Sequence, residues 1–303
     1  MRTASAVVIS TVVAAMLVGG SAAGVPSSGV KTTGANEQNP AATQSWFAWT
    51  ESPAAHPNRT SVWAEPRPPI DGADAFRVNP AGTRAWTGGI QGTELVYQEL
   101  DSGDSDIRRY NLATQQPIGN APVNTDRWEW HPSISMDSAG DRWILFGRQN
   151  TSNSAQKILA YNDTDDVMRE LQATKRRRDL LIPGQVNGNW ATWTACRPNC
   201  QVRYVNLLGG PVRTVPRPNY VKHQFGSSIA ESGAVYFARS GAGCGANVRI
   251  MRFDSGTTQR MVDLPDNRDV FFTYASEEGA TTRVFYDRVG CGSGAWNIYA
   301  FVD

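Results

Sequence analysis

Six times along this chain an aromatic residue closes a short apolar run, at a spacing of about 48 residues. The runs are Phe47-Ala48-Trp49, Leu95-Val96-Tyr97, Ile144-Leu145-Phe146, Ala191-Thr192-Trp193, Val235-Tyr236-Phe237 and Val284-Phe285-Tyr286. Steps between successive aromatics measure 48, 49, 47, 44 and 49 residues. Segments this short cannot bury an apolar face alone. A repeat of this length made of strands marks a β-propeller, with one blade per repeat. The rhythm therefore predicts an all-β, six-bladed propeller of four-stranded antiparallel blades, and it says little about ligands.

Each repeat can be read strand by strand. A second strand follows each aromatic-ending one, starting at Val62, Ile107, Ile158, Val202, Ile250 and Ile298, and Tyr110, Tyr161, Phe253 and Phe301 recur three residues further on. Third strands follow, as in Ala75-Phe76-Arg77-Val78 and Gln259-Arg260-Met261-Val262. Ahead of the aromatic-ending strand lies one rich in small residues, such as Ser133-Ile134-Ser135-Met136 or Ser227-Ser228-Ile229-Ala230. Small side chains suit the crowded strand nearest a propeller axis, while the aromatics suit the space between blades. No long 3.6-residue period interrupts the pattern.

Ahead of the repeats stand two further segments. Residues 1–23 combine Arg2, an apolar stretch from Ala6 to Val18 and the small run Ser21-Ala22-Ala23, which reads as a secretory signal cleaved after Ala23. The apolar run falls short of the ~20 residues a membrane span needs. Residues 24–44 form a polar arm, and 45–303 carry the repeats. Of 29 basic and 28 acidic side chains only Arg2 leaves with the signal, so the mature chain is neutral and nucleic acid is not an expected partner. Export makes disulfides the default for the four cysteines. Three pairings are open; the turn Arg197-Pro198-Asn199 favours Cys196–Cys200, and equivalent Gly-rich loops of neighbouring repeats favour Cys244–Cys291. A zinc site would need a second close pair.

The segment from Ser133 to Phe146, Ser-Ile-Ser-Met-Asp-Ser-Ala-Gly-Asp-Arg-Trp-Ile-Leu-Phe, resembles the TolB-type propeller repeat. Asp106-Ile107-Arg108-Arg109-Tyr110-Asn111-Leu112-Ala113-Thr114 is similar to its companion strand. The resemblance spans the chain from about residue 45 onward. Most copies lack the proline of the family turn, although Val78-Asn79-Pro80-Ala81-Gly82-Thr83 keeps one. No segment corresponds to the separate N-terminal domain of TolB proteins, so the resemblance implies the fold and not the partner-binding role.

On a four-stranded plan the first blade lacks an innermost strand and the last stops at its third, Asn297 to Val302. The arm is expected to supply what is missing. The same plan brings His56, His131, His223, the four cysteines and Lys175-Arg176-Arg177-Arg178 to one face, where loops of all blades converge. The densest segment there is Trp128-Glu129-Trp130-His131-Pro132. Its tryptophans fit a stacking platform for a sugar or aromatic ligand, or else a plug that packs between blades. Together with His223 and Gln224 these residues form the candidate ligand site.

His131 and His223 lack a matching carboxylate, so no metal or other cofactor is assigned. Asp101-Ser102-Gly103-Asp104-Ser105-Asp106 lacks the later Gly and Glu of a calcium loop and reads as a solvated hairpin. No G-x-S-x-G elbow occurs, and no acid pair stands out among scattered carboxylates. The expected role is thus a secreted, monomeric binding or scaffold module for a protein or glycan partner. A carbohydrate-active hydrolase or lyase at the channel mouth is the alternative. Deleting residues 28 to 44 is expected to lower the melting temperature markedly; unchanged melting by circular dichroism would refute the closing role of the arm.

Overall fold

The computed structural model describes residues 25–67, 75–101, 103–150, 155–174, 179–241, 243–292 and 294–303. The signal segment, Ser102 and the basic run Lys175 to Arg178 lie outside them.

Six antiparallel sheets follow one another along the chain. After β1 (Ser28–Lys31), the first blade contains β2 (Asn36–Ala42), β3 (Trp46–Ser52), β4 (Ser61–Pro66) and β5 (Phe76–Arg77). The second contains β6 (Arg84–Gln91), β7 (Glu94–Asp101), β8 (Asp104–Asn111) and β9 (Gln116–Asn120). The third contains β10 (Trp128–Met136), β11 (Arg142–Gln149), β12 (Gln156–Asn162) and β13 (Val167–Ala173). The fourth runs through β14 (Leu180–Asn187), β15 (Trp190–Cys196), β16 (Cys200–Asn206) and β17 (Arg213–Thr214). The fifth runs through β18 (His223–Ile229), β19 (Val235–Ser240), β20 (Arg249–Asp254) and β21 (Thr257–Asp263). In the sixth, β22 (Arg268–Asp269) and β23 (Thr273–Glu278) both pair with β24 (Thr281–Gly290), which pairs with β25 (Trp296–Val302). The fold is a six-bladed β-propeller, and among the described residues no helix is long and apolar enough to cross a membrane.

Both ends of the chain meet in the ring. Strand β1 pairs with β25 as the outer strand of the last blade, and β2 is the innermost strand of the first. Lys31 binds Glu65 at 2.7 Å and lies 4.3 Å from the Trp49 ring, which ties the end of β1 to the first blade. Ring closure buries the two blade faces that an open row of blades would leave exposed at its ends.

The aromatics that set the sequence rhythm are buried between blades. Phe146 packs with Val96 and Ile107 of the preceding blade, and Phe237 with Val202 and Tyr204. Phe47 meets Phe285 at 5.3 Å across the junction of first and last blades. Rings of this size bury enough apolar area to dominate such interfaces.

Every innermost strand is interrupted at the same level. Register shifts occur between Gln38 and Ala41, Thr87 and Gly89, Trp130 and Ser133, Pro183 and Val186, and Phe225 and Ser228. In the sixth blade the corresponding break separates β22 from β23. The bulges accept Pro40 and Pro132, since no ladder N–H is needed there. One expectation changes here. The sequence plan sets His131 and His223 in loops just ahead of their innermost strands; instead His131 sits within β10 and His223 is the first residue of β18, because both strands continue past the bulge.

At the bulges neighbouring backbones nearly touch. A Cβ on Gly184 would lie 2.4 Å from the Ser227 carbonyl oxygen, and one on Gly226, at φ 57°, would lie 2.2 Å from that of Phe271. Gly184→Ala is expected to cost about 1–3 kcal/mol through overpacking, several degrees in melting temperature. A scan with unchanged melting would contradict the close approach.

Candidate functional site

The bulges shape the axial channel. At the face where the innermost strands begin, a cavity of ≈ 410 Å³ is lined by Trp86, Trp128, Trp130, His131 and Phe272. Five carboxamides complete its wall: Gln38, Asn39, Gln98, Gln149 and Gln156. Gln38, Trp86 and Trp130 each stand two residues before a bulge residue, Pro40, Gly88 and Pro132, so three adjacent blades deliver them to one level.

The two tryptophans of the sequence motif are held differently. Trp128 Nε1 donates to the Gly103 carbonyl at 2.9 Å, which fixes an exposed ring on the rim. Trp130 lies flat on Gly147: a Cβ there would fall 2.3 Å from its Cε2. Among the described residues no hydrogen bond engages the Trp86 and Trp130 indole N–H groups or the Gln38 carboxamide. Gln98, by contrast, is fastened to Ser105 Oγ at 2.9 Å, and the Gln156 carbonyl accepts the Leu181 N–H at 2.8 Å.

The floor is constricted. The His131 ring packs 4.9 Å from Phe272, reaching from the third blade to the sixth. His131 adopts φ 46° at the bulge, and desolvation pushes its imidazole down to about 4. Beneath it remains a void of ≈ 40 Å³. Below that, buried Tyr274 accepts the Ile90 N–H at 3.3 Å from the second blade. Gln185 clamps both backbone groups of Ala275, donating to its carbonyl at 2.7 Å and accepting its N–H at 2.9 Å. The opposite end holds a separate cavity of ≈ 370 Å³ lined in part by Glu231 and Glu277. Cross-axis contacts of His131, Tyr274 and Gln185 thus narrow the channel between the two end cavities.

The remaining candidates stand elsewhere. Glu129 is fully buried, accepting from Thr125 Oγ1 and Arg148 Nε at 2.8 Å each; burial still raises its pKa. Gln224 is also fully buried and donates to the Pro216 carbonyl at 2.9 Å. His223 accepts the Cys200 N–H at Nδ1, 3.4 Å away, beside the Cys196–Cys200 bridge. Cys244 joins Cys291 across the loops of the fifth and sixth blades. Among the described residues no three His, Cys, Asp or Glu side chains cluster as metal ligands do. At the aspartate-rich hairpin, Asp104 Oδ1 caps the Ser105 N–H at 2.8 Å.

The sequence pattern pointed to Trp128, Trp130 and His131, and the structure gathers these three in one cavity. It did not point to Trp86, Phe272 or the glutamines. Aligning the bulge residues Pro40, Gly88 and Pro132 would have exposed Gln38 and Trp86, whereas Phe272 arrives from across the ring.

Phe272 is placed by Asp287, a fully buried carboxylate in β24. One oxygen accepts the N–H groups of Phe271 and Phe272 at 2.9 Å each and so replaces the missing ladder at the break. Burial pushes this carboxyl up to about 7 despite those bonds.

Comparisons give a fold and no family. No protein-family model matches the chain, and no curated protein matches it. Among solved structures, TolB from Acinetobacter baumannii superposes with a TM-score of 0.55 at 13% identity, over 86% of this chain and 64% of that one. The chain thus spans less than two thirds of that protein. A TolB-type protein from Agrobacterium tumefaciens gives 0.58 at 13% identity, covering 89% and 91%. An oligogalacturonate lyase from Vibrio parahaemolyticus gives 0.53 at 9%, covering 90% and 81%. The architecture is that of TolB-like propellers, and at these identities the likeness carries no activity.

The folded-state value of Asp287 lies above the ordinary 3.8, so its proton stabilises the native state below about pH 4, and that contribution is lost as pH rises through about 7. His131 acts in the opposite sense: the unfolded chain takes up a proton that the native state refuses, so its contribution is present above 6.5 and is lost as pH falls through about 4. Asp287→Asn retains the Oδ1 acceptor and removes the first contribution. Urea unfolding should show the variant near wild type at about pH 4 and more stable at about pH 8, by on the order of a few kcal/mol. A difference independent of pH would contradict the assignment.

Proposed function

We propose that this chain is an exported, monomeric TolB-like propeller that binds a neutral glycan at the channel mouth without transforming it. The observation that carries the reading is the chemistry of the mouth cavity. Its described lining contains three indoles, a phenyl ring and five carboxamides, with no Asp, Glu, Lys or Arg. Indole faces stack on the apolar face of a pyranose ring, while carboxamides and indole N–H groups match its hydroxyls without demanding charge. Groups that lack a partner among the described residues, Trp86 Nε1, Trp130 Nε1 and the Gln38 amide, are available for that purpose.

A floor narrowed by the His131–Phe272 contact supports capture of a chain end or a single sugar. Catalysis of glycan cleavage needs a general acid and a base beside the bond. The described lining offers His131 alone, at about 4. Two disulfides support an oxidising compartment, in keeping with cleavage of an export signal after Ala23. Residues 24–44 then serve both to close the ring and to supply Gln38 and Asn39 to the cavity wall.

A glycan array with the purified mature chain, read with and without added divalent metal, tests the reading. Retention of uncharged glycans independent of metal is expected, with Trp130→Ala weakening it about tenfold or more. Absence of any retained glycan, or release of shortened product, would overturn it.

A further inference from the structure

A second cavity lies on the same face, outside the channel, where the first blade meets the second. It has a volume of ≈ 590 Å³ and is lined by three guanidinium side chains from three segments: Arg59 in the β3–β4 loop, Arg77 in β5 and Arg84 at the start of β6. Trp63 and the hydroxyl residues Thr60, Ser61 and Thr83 complete the part of the wall that matters here.

Most arginines of this protein that approach an acid are paired with it, as Arg108 is with Glu99 at 2.9 Å and Arg67 with Glu278 at 2.8 Å. These three are not. Arg77 donates to the carbonyls of Pro80 and Thr83, Arg84 lies 5.3 Å from the Trp86 ring, and neither they nor Arg59 form an ion pair among the described residues. The cavity's one carboxylate, Glu51, is engaged by Trp49 Nε1 at 3.2 Å. Three positive charges thus face one negative charge.

Two buried polar atoms of the same wall have no partner. Thr60 is only 3% exposed, and its hydroxyl makes no hydrogen bond. Arg77 Nε is likewise buried and unpartnered. Other arginine Nε atoms, such as those of Arg142 and Arg203, are likewise unpartnered, so it is the convergence of Thr60 and Arg77 with two further unpaired guanidinium groups in one cavity that marks the wall as suited to an acceptor.

We infer that this cavity is an anion subsite that takes a compact oxyanion through Arg59, Arg77, Arg84 and the Thr60 hydroxyl. Guanidinium forks recognise carboxylate, sulfate and phosphate oxygens alike, through paired and charge-assisted hydrogen bonds. The shared ligand chemistry is an oxyanion, borne as a carboxylate or as a sulfate or phosphate ester. The inference is independent of glycan binding in the channel mouth, because it rests on different residues.

Calorimetric titration of the purified chain with sodium sulfate, sodium phosphate and sodium glucuronate tests it, against sodium chloride at matched ionic strength. Saturable binding of at least one of the three at one site per chain is expected. Binding of the inorganic ions alone assigns an ester, and binding of glucuronate alone assigns a carboxylate. Arg59→Gln, at an exposed loop position, should weaken binding about tenfold. Thr60→Val removes the orphaned hydroxyl with little change in shape; it should melt in chloride no lower than wild type and yet bind the anion more weakly. Trp130→Ala should leave the titration unchanged. No saturable heat with any of the three, or equal loss in Trp130→Ala, would overturn the inference.

Discussion

The structure depends on how closely six innermost strands approach one another around the axis. At the level of the bulges the separation leaves no room for a Cβ: Gly88 faces the Pro132 carbonyl oxygen at 2.3 Å from where its Cβ would be, and Gly184 and Gly226 are confined in the same way. A straight ladder would collide there. Each strand therefore sheds one pairing, twists, and resumes beyond the bulge. Channel, mouth cavity and floor follow from that single accommodation. Residues on the mouth side of the bulge, Gln38, Trp86 and Trp130, splay outward as a rim, while His131, Tyr274 and Gln185 are turned inward as a plug.

Polar groups at the axis are matched across blades rather than within them. Thr87 N–H donates to Thr50 Oγ1 at 2.8 Å, Val186 N–H to Ser133 Oγ at 3.1 Å, and Ser228 shares a 2.8 Å bond with Thr273. Small hydroxyl side chains thereby satisfy backbone groups that the bulges release. Asp287 performs the same service for Phe271 and Phe272, at the expense of a buried carboxyl whose charge is disfavoured. Neutral groups line the mouth end of the axis, and the uncompensated positive charge lies outside it, at the junction of the first two blades. That segregation is what lets one face offer two different chemistries.

Much of the scaffold was legible because burial is periodic. A blade repeats every time the chain crosses from axis to rim and back, so buried aromatics such as Tyr97, Phe146 and Trp193 recur at the length of that path. Turn glycines and the cysteine spacing were local enough to read as well. Trp128, Trp130 and His131 were visible for a narrower reason: they are adjacent in sequence, so their strand delivers them together. Glu129 and Gln224 looked alike on paper, and alternation sent both inward to structural partners.

Sequence alone thus determined the six-bladed repeat, the strand order within a blade and the face on which the chemistry-bearing loops meet, because these follow from local patterning and a fixed period. Counting strands against the repeat already pointed to the N-terminal arm as what completes the first and last blades. Only tertiary structure decided which residues pair, Asn36–Ala42 as the first inner strand and Ser28–Lys31 as the last outer one, since pairing between chain ends leaves no periodic trace. It also decided that Phe272 faces His131 across the ring and that Arg59, Arg77 and Arg84 share a cavity with a single carboxylate, Glu51. Those neighbourhoods join residues from distant stretches of chain, and the curvature of the closed ring, not the repeat, brings them together.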